Sequence, residues 1–177
     1  ASVSATSGLG SWANPEKDPI AEINAQIYAI AKATGVVPNR IWMDMIAWKK
    51  LVDHPKVKER QPGADLVTIN AERFTKMLSL NPAIEVKIGT AVYDQNKRGQ
   101  AKNATFMGAG DVFVFVANQN PDLYDASAVK TFAAAEGGVD QVKTWRDEPF
   151  KDVHTVAWSE DVQVVAADCI NRITVSE

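Results

Sequence analysis

The chain predicts an α+β fold, a mixed sheet flanked by about three helices, with helices early and strands late. Before Pro82 apolar residues recur at three- and four-residue steps, bracketed by helix-start and helix-stop residues. After it they alternate singly or run continuously, as strands do. No regular strand–helix alternation follows, which argues against a doubly wound parallel sheet.

The first helix begins with Asp18 as cap and Pro19 in the first turn, where a missing N–H costs nothing. Ile20, Ile23, Ile27 and Ile30 form one stripe, each worth about 1.5–3 kcal/mol on full burial before entropy is subtracted. Gly35 supplies the left-handed residue that ends it. Arg40 to Met43 reads as a short strand. Asp44 can cap a second helix, in which Met45, Trp48, Leu51 and Val52 share a face. His54-Pro55 closes that helix and starts a further helical turn. A break at Pro62-Gly63 precedes a third helix capped by Asn70, carrying Phe74, Met77 and Leu78, with Glu72 and Lys76 at pairing distance, and ending near Asn81-Pro82.

Ile84, Val86 and Ile88 alternate with Glu85 and Lys87, predicting a strand buried on one face, which Val92 and Tyr93 extend. The segment from Asp94 to Lys102 is a polar loop. Val112 to Val116 is apolar throughout and predicts a central strand covered on both faces. Asn118 to Ala126 is turn-rich. Val129–Phe132, Val139–Trp145 and Val153–Trp158 are strand candidates, with a break from Ala133 to Gly138. Val162–Ala167 and Ile170–Val175 close the chain as an extended pair or one bent strand.

A length of 177 residues suffices for one domain, or one plus an appended piece, with a sizeable core. The 46% apolar and 23% charged content is that of an ordinary globular protein. A net charge of −3 argues against a basic nucleic-acid surface. The single cysteine, Cys169, excludes an internal disulfide, and no apolar run approaches the ~18–20 residues that span a bilayer. Residues 1–17 read as a flexible N-terminal segment without signal-peptide features, in which Trp12 is expected to dock. The missing initiator Met points to a processed product or a fragment of a longer chain.

No catalytic constellation emerges. His54 and His154 lie far apart outside any metal-ligand pattern, and His54 reads as a turn residue. Asp94-x-Asn96 with Gly99 copies the opening of a calcium loop, but Arg98 takes a ligand position and Thr105 replaces the bidentate Glu. Gly108-Ala109-Gly110 lacks the third glycine and following helix of a dinucleotide site, and reads as a turn. Cys169 reads as a small buried hydrophobe. The acids Asp147, Glu148, Asp152, Glu160 and Asp161 form a solvated rim; with His154 and a divalent metal they would make a small metal-dependent enzyme, the distant alternative. No cofactor or metal is expected. The five tryptophans, Trp12, Trp42, Trp48, Trp145 and Trp158, are core residues or, where exposed, interface anchors.

The ordered series Asp18-Pro19, Thr34-Gly35, Pro38-Asn39, a short apolar strand, Trp48 and His54-Pro55-x-Val57-x-x-Arg60 resembles the major capsid proteins of tailed phages, with the Hong Kong 97-type fold. The likeness extends over residues 11–177, through Ala91, Tyr93 and Gly99, the segment Met107–Phe132 and the closing strands, and is weaker between Pro62 and Pro82. It implies an axial domain over 18–145, after the segment 1–17, and strands over 146–177 that return to a peripheral domain. The N-terminal arm, extended loop and spine helix of that family have no counterpart here. The resemblance implies a non-enzymatic head subunit of a phage or prophage, assembled in the bacterial cytoplasm into pentamers and hexamers around packaged DNA. Its partners would be copies of itself, with portal, scaffold or protease components possible, and neither membrane nor sequence-specific nucleic acid. An encapsulin-type compartment shell is the alternative that shares the fold. Polar loops suit lateral contacts between subunits, which makes Arg98, Lys102, Gln119, Asn120 and Tyr124 the interface candidates.

Overall fold

Asp18 starts the first helix as its cap: its carboxylate accepts from the backbone N–H of Ile20 at 3.1 Å and of Ala21 at 3.2 Å. The computed structural model describes residues 12–60, 69–120, 122, 124–133, 140–147 and 151–175. The expected breaks at Pro62-Gly63 and at 134–138, residues 1–11 and Glu148 lie outside the described residues. Helix α1 (Pro19–Thr34) buries Ile20, Ile23, Ile27 and Ile30, and ends at Gly35 in the left-handed region, φ 73°. Thr34 seals that end, its hydroxyl donating to the Ile30 carbonyl at 2.8 Å and accepting from Val36 N–H at 3.2 Å.

The chain continues through β1 (Arg40–Asp44), α2 (Met45–Asp53), α3 (Pro55–Glu59) and α4 (Ala71–Met77). Strands β2 (Glu85–Gly89), β3 (Val92–Asp94), β4 (Ala104–Phe106) and β5 (Asp111–Phe115) follow. Asp44, His54 and Asn70 cap α2, α3 and α4. Helix α4 stops at Leu78, short of the expected Asn81-Pro82, because Asn81 turns its amide to the Pro38 carbonyl at 2.8 Å and accepts from Ala83 N–H at 3.2 Å.

The main sheet has the order β10-β5-β1-β2, where β10 is Ile170–Thr174; β1 and β2 are parallel and the other pairs antiparallel, so the sheet is mixed as expected. Register aligns Ile41, Val86 and Val114 in one row, and Met43, Ile88, Val112 and Ile173 in the next. Helix α1 lies against β5 and β10 on this side, and its buried Gln26 accepts from the Asn171 amide at 2.9 Å. The opposite face carries Trp42, Phe113, Phe115 and Arg172. Strand β5 was expected to be covered on both faces. Val112 and Val114 are buried, but Phe113 and Phe115 are half-buried, with Phe113 tilted against the Trp42 ring at 5.8 Å between centroids.

The remaining strands are β6 (Val129–Ala133), β7 (Asp140–Asp147), β8 (Lys151–Trp158) and β9 (Glu160–Val164). Here the structure corrects the expected closing pair. Strand β9 pairs with β6 and β7 with β8, whereas β10 joins β5 after a 3-10 turn at Ala167–Cys169. The chain accordingly divides into two compact units, one running to Ala128 and resuming at Ala166, the other spanning Val129–Val165. The expected division after Trp145 falls inside β7.

Candidate assembly surfaces

Arg98 and Lys102 sit on the exposed loop between β3 and β4. The loop organises itself around one side chain. Asp94 Oδ1 accepts from Asn96 N–H at 3.0 Å and from Asn103 N–H at 2.9 Å. Across it, the Asn96 amide donates to the Ala101 carbonyl at 2.6 Å and Gln95 N–H to the Asn103 carbonyl at 3.0 Å. Gly99, at φ 95°, makes the reversal. The N–H donors of Asn103 and then Asn96 hold the Asp94 carboxyl below the usual aspartate range. The oxygen that opens a calcium-loop pattern is thus occupied by the loop's own backbone. Among the described residues no group of three or more His, Cys, Asp or Glu stands where it could hold a metal ion.

Gln119, Asn120 and Tyr124 occupy the loop after β5, all exposed, with Tyr124 90% accessible. Its ends are stapled. The Asn39 amide donates to the Ala117 carbonyl at 2.7 Å and accepts from Ala117 N–H at 2.9 Å. The Ser127 hydroxyl accepts from Asn118 N–H at 3.0 Å and donates to Asp125 at 2.9 Å. Ala128 N–H donates to the Val116 carbonyl at 2.9 Å, closing the neck. Asn39 and Ser127 were not singled out as functional from sequence. The Pro38-Asn39 pair was a motif with no visible partner, since Ala117 lies 78 residues away.

The unit Val129–Val165 is built of two-stranded ribbons in which apolar residues face outward. Val129 pairs with Val164 and Thr131 with Val162 on one face of β6–β9. Val142 pairs with Val156 on β7–β8, and Trp145 with Val153 on its other face. Val142, Val156 and Val162 are each more than half exposed, and Trp145 is 49% exposed. Two-stranded ribbons are marginally stable alone in water, so such a surface gains by being covered.

His154 lies 3.1 Å from the Thr144 hydroxyl, and Asp152 pairs with Arg146 at 3.5 Å. His54 is buried as the α3 cap, Gly108–Gly110 forms the turn before β5, and Trp12 docks against Glu22 through its indole N–H at 2.8 Å. Cys169 is buried, and burial, then the Asp168 charge, raises its thiol above its usual range. Among the described residues no helix is long and apolar enough to cross a membrane.

No family model and no curated protein matches the chain. Among solved structures it is similar to a phage-related protein from Bordetella bronchiseptica RB50, with a TM-score of 0.78 at 20% sequence identity. That alignment takes in 97% of this chain and 55% of the solved chain, so the protein spans about half the length of its structural neighbour and shares the fold of that half.

Proposed function

We propose that the chain is a structural subunit of a tailed-phage or prophage head, a Hong Kong 97-type capsid protein that assembles into pentamers and hexamers around packaged DNA and performs no catalysis. The observation that carries this reading is the likeness of nearly the whole chain to a phage-related protein. The surface supports it. The loop between β3 and β4 is held by its own Asp94 side chain, so contacts through Arg98 or Lys102 would fix little further backbone entropy, and Asn39 fastens Ala117 at the start of the loop that carries Gln119, Asn120 and Tyr124. The valine-bearing ribbons Val129–Val165 offer apolar area for burial between copies. A net charge of −3 suits a wall along which DNA moves without being gripped.

Negative-stain electron microscopy of the full-length gene product tests the reading: closed icosahedral particles are expected, and dispersed monomers under all assembly conditions would refute it. Particles holding an enzyme in place of nucleic acid would instead identify an encapsulin-type shell. Reversing Arg98 to Glu should lower particle yield while leaving the unfolding midpoint of the subunit unchanged; full assembly of that variant would remove Arg98 from the contact.

A further inference from the structure

The segment from Trp12 to Asp18 is fastened by four side-chain attachments to α1 and to α3 with its cap. Trp12, 2% exposed, donates its indole N–H to Glu22 Oε2 at 2.8 Å. The Lys56 ammonium donates to the Glu16 carbonyl, and Arg60 pairs with Asp18. His54 makes the fourth attachment, from a site only 2% exposed. Its Nδ1 accepts from Lys56 N–H at 3.3 Å, capping α3, so its proton resides on Nε2, which faces the Asn14 carbonyl at 3.2 Å. A neutral imidazole has one donor and one acceptor, and this site uses each once.

We propose that His54 is an acid-sensitive catch for the segment Trp12–Asp18. The imidazolium has two donors and no acceptor. Its Nδ1–H would confront the Lys56 N–H, so the cap is lost and the ring leaves its buried site, taking the Asn14 attachment with it. The ring lines a groove together with charged groups. Lys49, Lys50 and Asp53 of α2 line the same groove, Lys56 follows on α3, and Glu16 and Lys17 belong to the segment itself. Glu22 of α1 and the Asp18–Arg60 pair complete the charged groups of the fastening. Release would also open that groove, about 540 Å³, because Trp12, Ala13 and Pro15 line it together with Met45, Ile46 and Phe106.

Hydrogen–deuterium exchange tests this between about pH 7.5 and about pH 5, the interval in which histidine characteristically changes charge. Rates are corrected for intrinsic pH dependence and α1 serves as internal reference. The expected result is a loss of protection of at least about tenfold over residues 12–18 in the wild type, absent in His54→Asn, whose amide oxygen still caps α3 without taking a proton. Equal loss in both proteins, or none in the wild type, would overturn the proposal. Ring nitrogen shifts of wild-type His54 decide the matter independently of the variant. An Nε2–H tautomer at the higher pH, converting to imidazolium as the Trp12 indole signal shifts, is expected; an Nδ1–H tautomer, or conversion that leaves Trp12 unmoved, contradicts it.

Discussion

The Asp44 carboxylate ties the end of β1 to the turn before β5: one oxygen, Oδ2, accepts from Gly110 N–H at 3.1 Å and from Ile46 N–H at 3.3 Å. Asp44 is buried, so removing the acceptor orphans two backbone donors at once. Asp44→Ala should lower unfolding stability by about 1–3 kcal/mol. Because both bonds end on a single oxygen, Asp44→Asn should retain most of the stability. Urea denaturation checks the pair; an equal loss in both variants would show that charge, and not the acceptor, is what matters.

Asn39 does for the loop after β5 what Asp44 does for the turn. Asn39→Ala removes both bonds to Ala117 and should cost about 1 kcal/mol, since the site is exposed and water replaces part of the loss. Its larger expected effect is local: amide exchange should quicken in the loop after β5 while α1 keeps its protection. Unchanged exchange there would mean that Ser127 and the Ala128 neck suffice to order the loop.

These two side chains also mark where the sequence stopped being readable. Helix α1 was legible end to end because its cap, isoleucine stripe and terminal Gly35 are all local signals. Most strands were legible as strands from their apolar spacing, but β4 (Ala104–Phe106) was not, and Val92 and Tyr93, expected to extend β2, form β3 and pair with β4 instead. Strand partners were not legible, since pairing depends on contacts formed only when distant segments meet, as in Asn39 with Ala117 or Ile173 with Val112. The late strands show the consequence. Val162 and Ile170 are close in sequence, yet one belongs to the ribbon and the other to the edge of the main sheet. The polar loops could be recognised as exposed, but the bonds of Asp94 and Ser127 that order them could not.

The hairpin loop should respond to acid through Asp94. Its carboxyl is lowered in the folded state by the Asn103 and Asn96 N–H donors, so its ionised form favours the ordered loop. That contribution is present above the unfolded aspartate value, about 3.9, and is lost as pH falls through the lower folded one. The Asn96 and Asn103 amide resonances should therefore hold still at about pH 5 and shift together below about pH 4. Asp94→Asn should abolish the shared titration; its persistence would assign the acid response elsewhere.

Cys169 should behave as an inert thiol in the native protein. It is buried, and its raised thiol keeps the nucleophilic thiolate scarce at neutral pH. Labelling by an aromatic disulfide at pH 7.5 should be at least about tenfold slower than in urea-unfolded protein, with the rate following unfolding. Rapid labelling of the native chain would show that the 3-10 turn Ala167–Cys169 opens without global unfolding.

Trp42 is accommodated by two glycines, and each should be intolerant of a side chain for a different reason. A Cβ on Gly89 would lie 2.3 Å from Trp42 Cζ2, with the next-nearest atoms also in that ring. A Cβ on Gly108 would meet Trp42 Cη2 at 2.7 Å but also Asp44 Cβ at 2.6 Å. Gly89→Ala and Gly108→Ala should each cost about 1–3 kcal/mol through overpacking. The distinction appears in combination with Trp42→Leu, which trims the ring. In the Gly89→Ala background that second substitution should recover much of the loss, because the three nearest atoms all belong to the ring. In the Gly108→Ala background it should recover little, because Asp44 is held by its bonds to Ile46 and Gly110 and cannot withdraw. Double-mutant cycles from urea unfolding measure both couplings. Equal rescue in the two backgrounds would mean that the Asp44 side chain yields, and that its hold on the turn before β5 is weaker than its two hydrogen bonds imply.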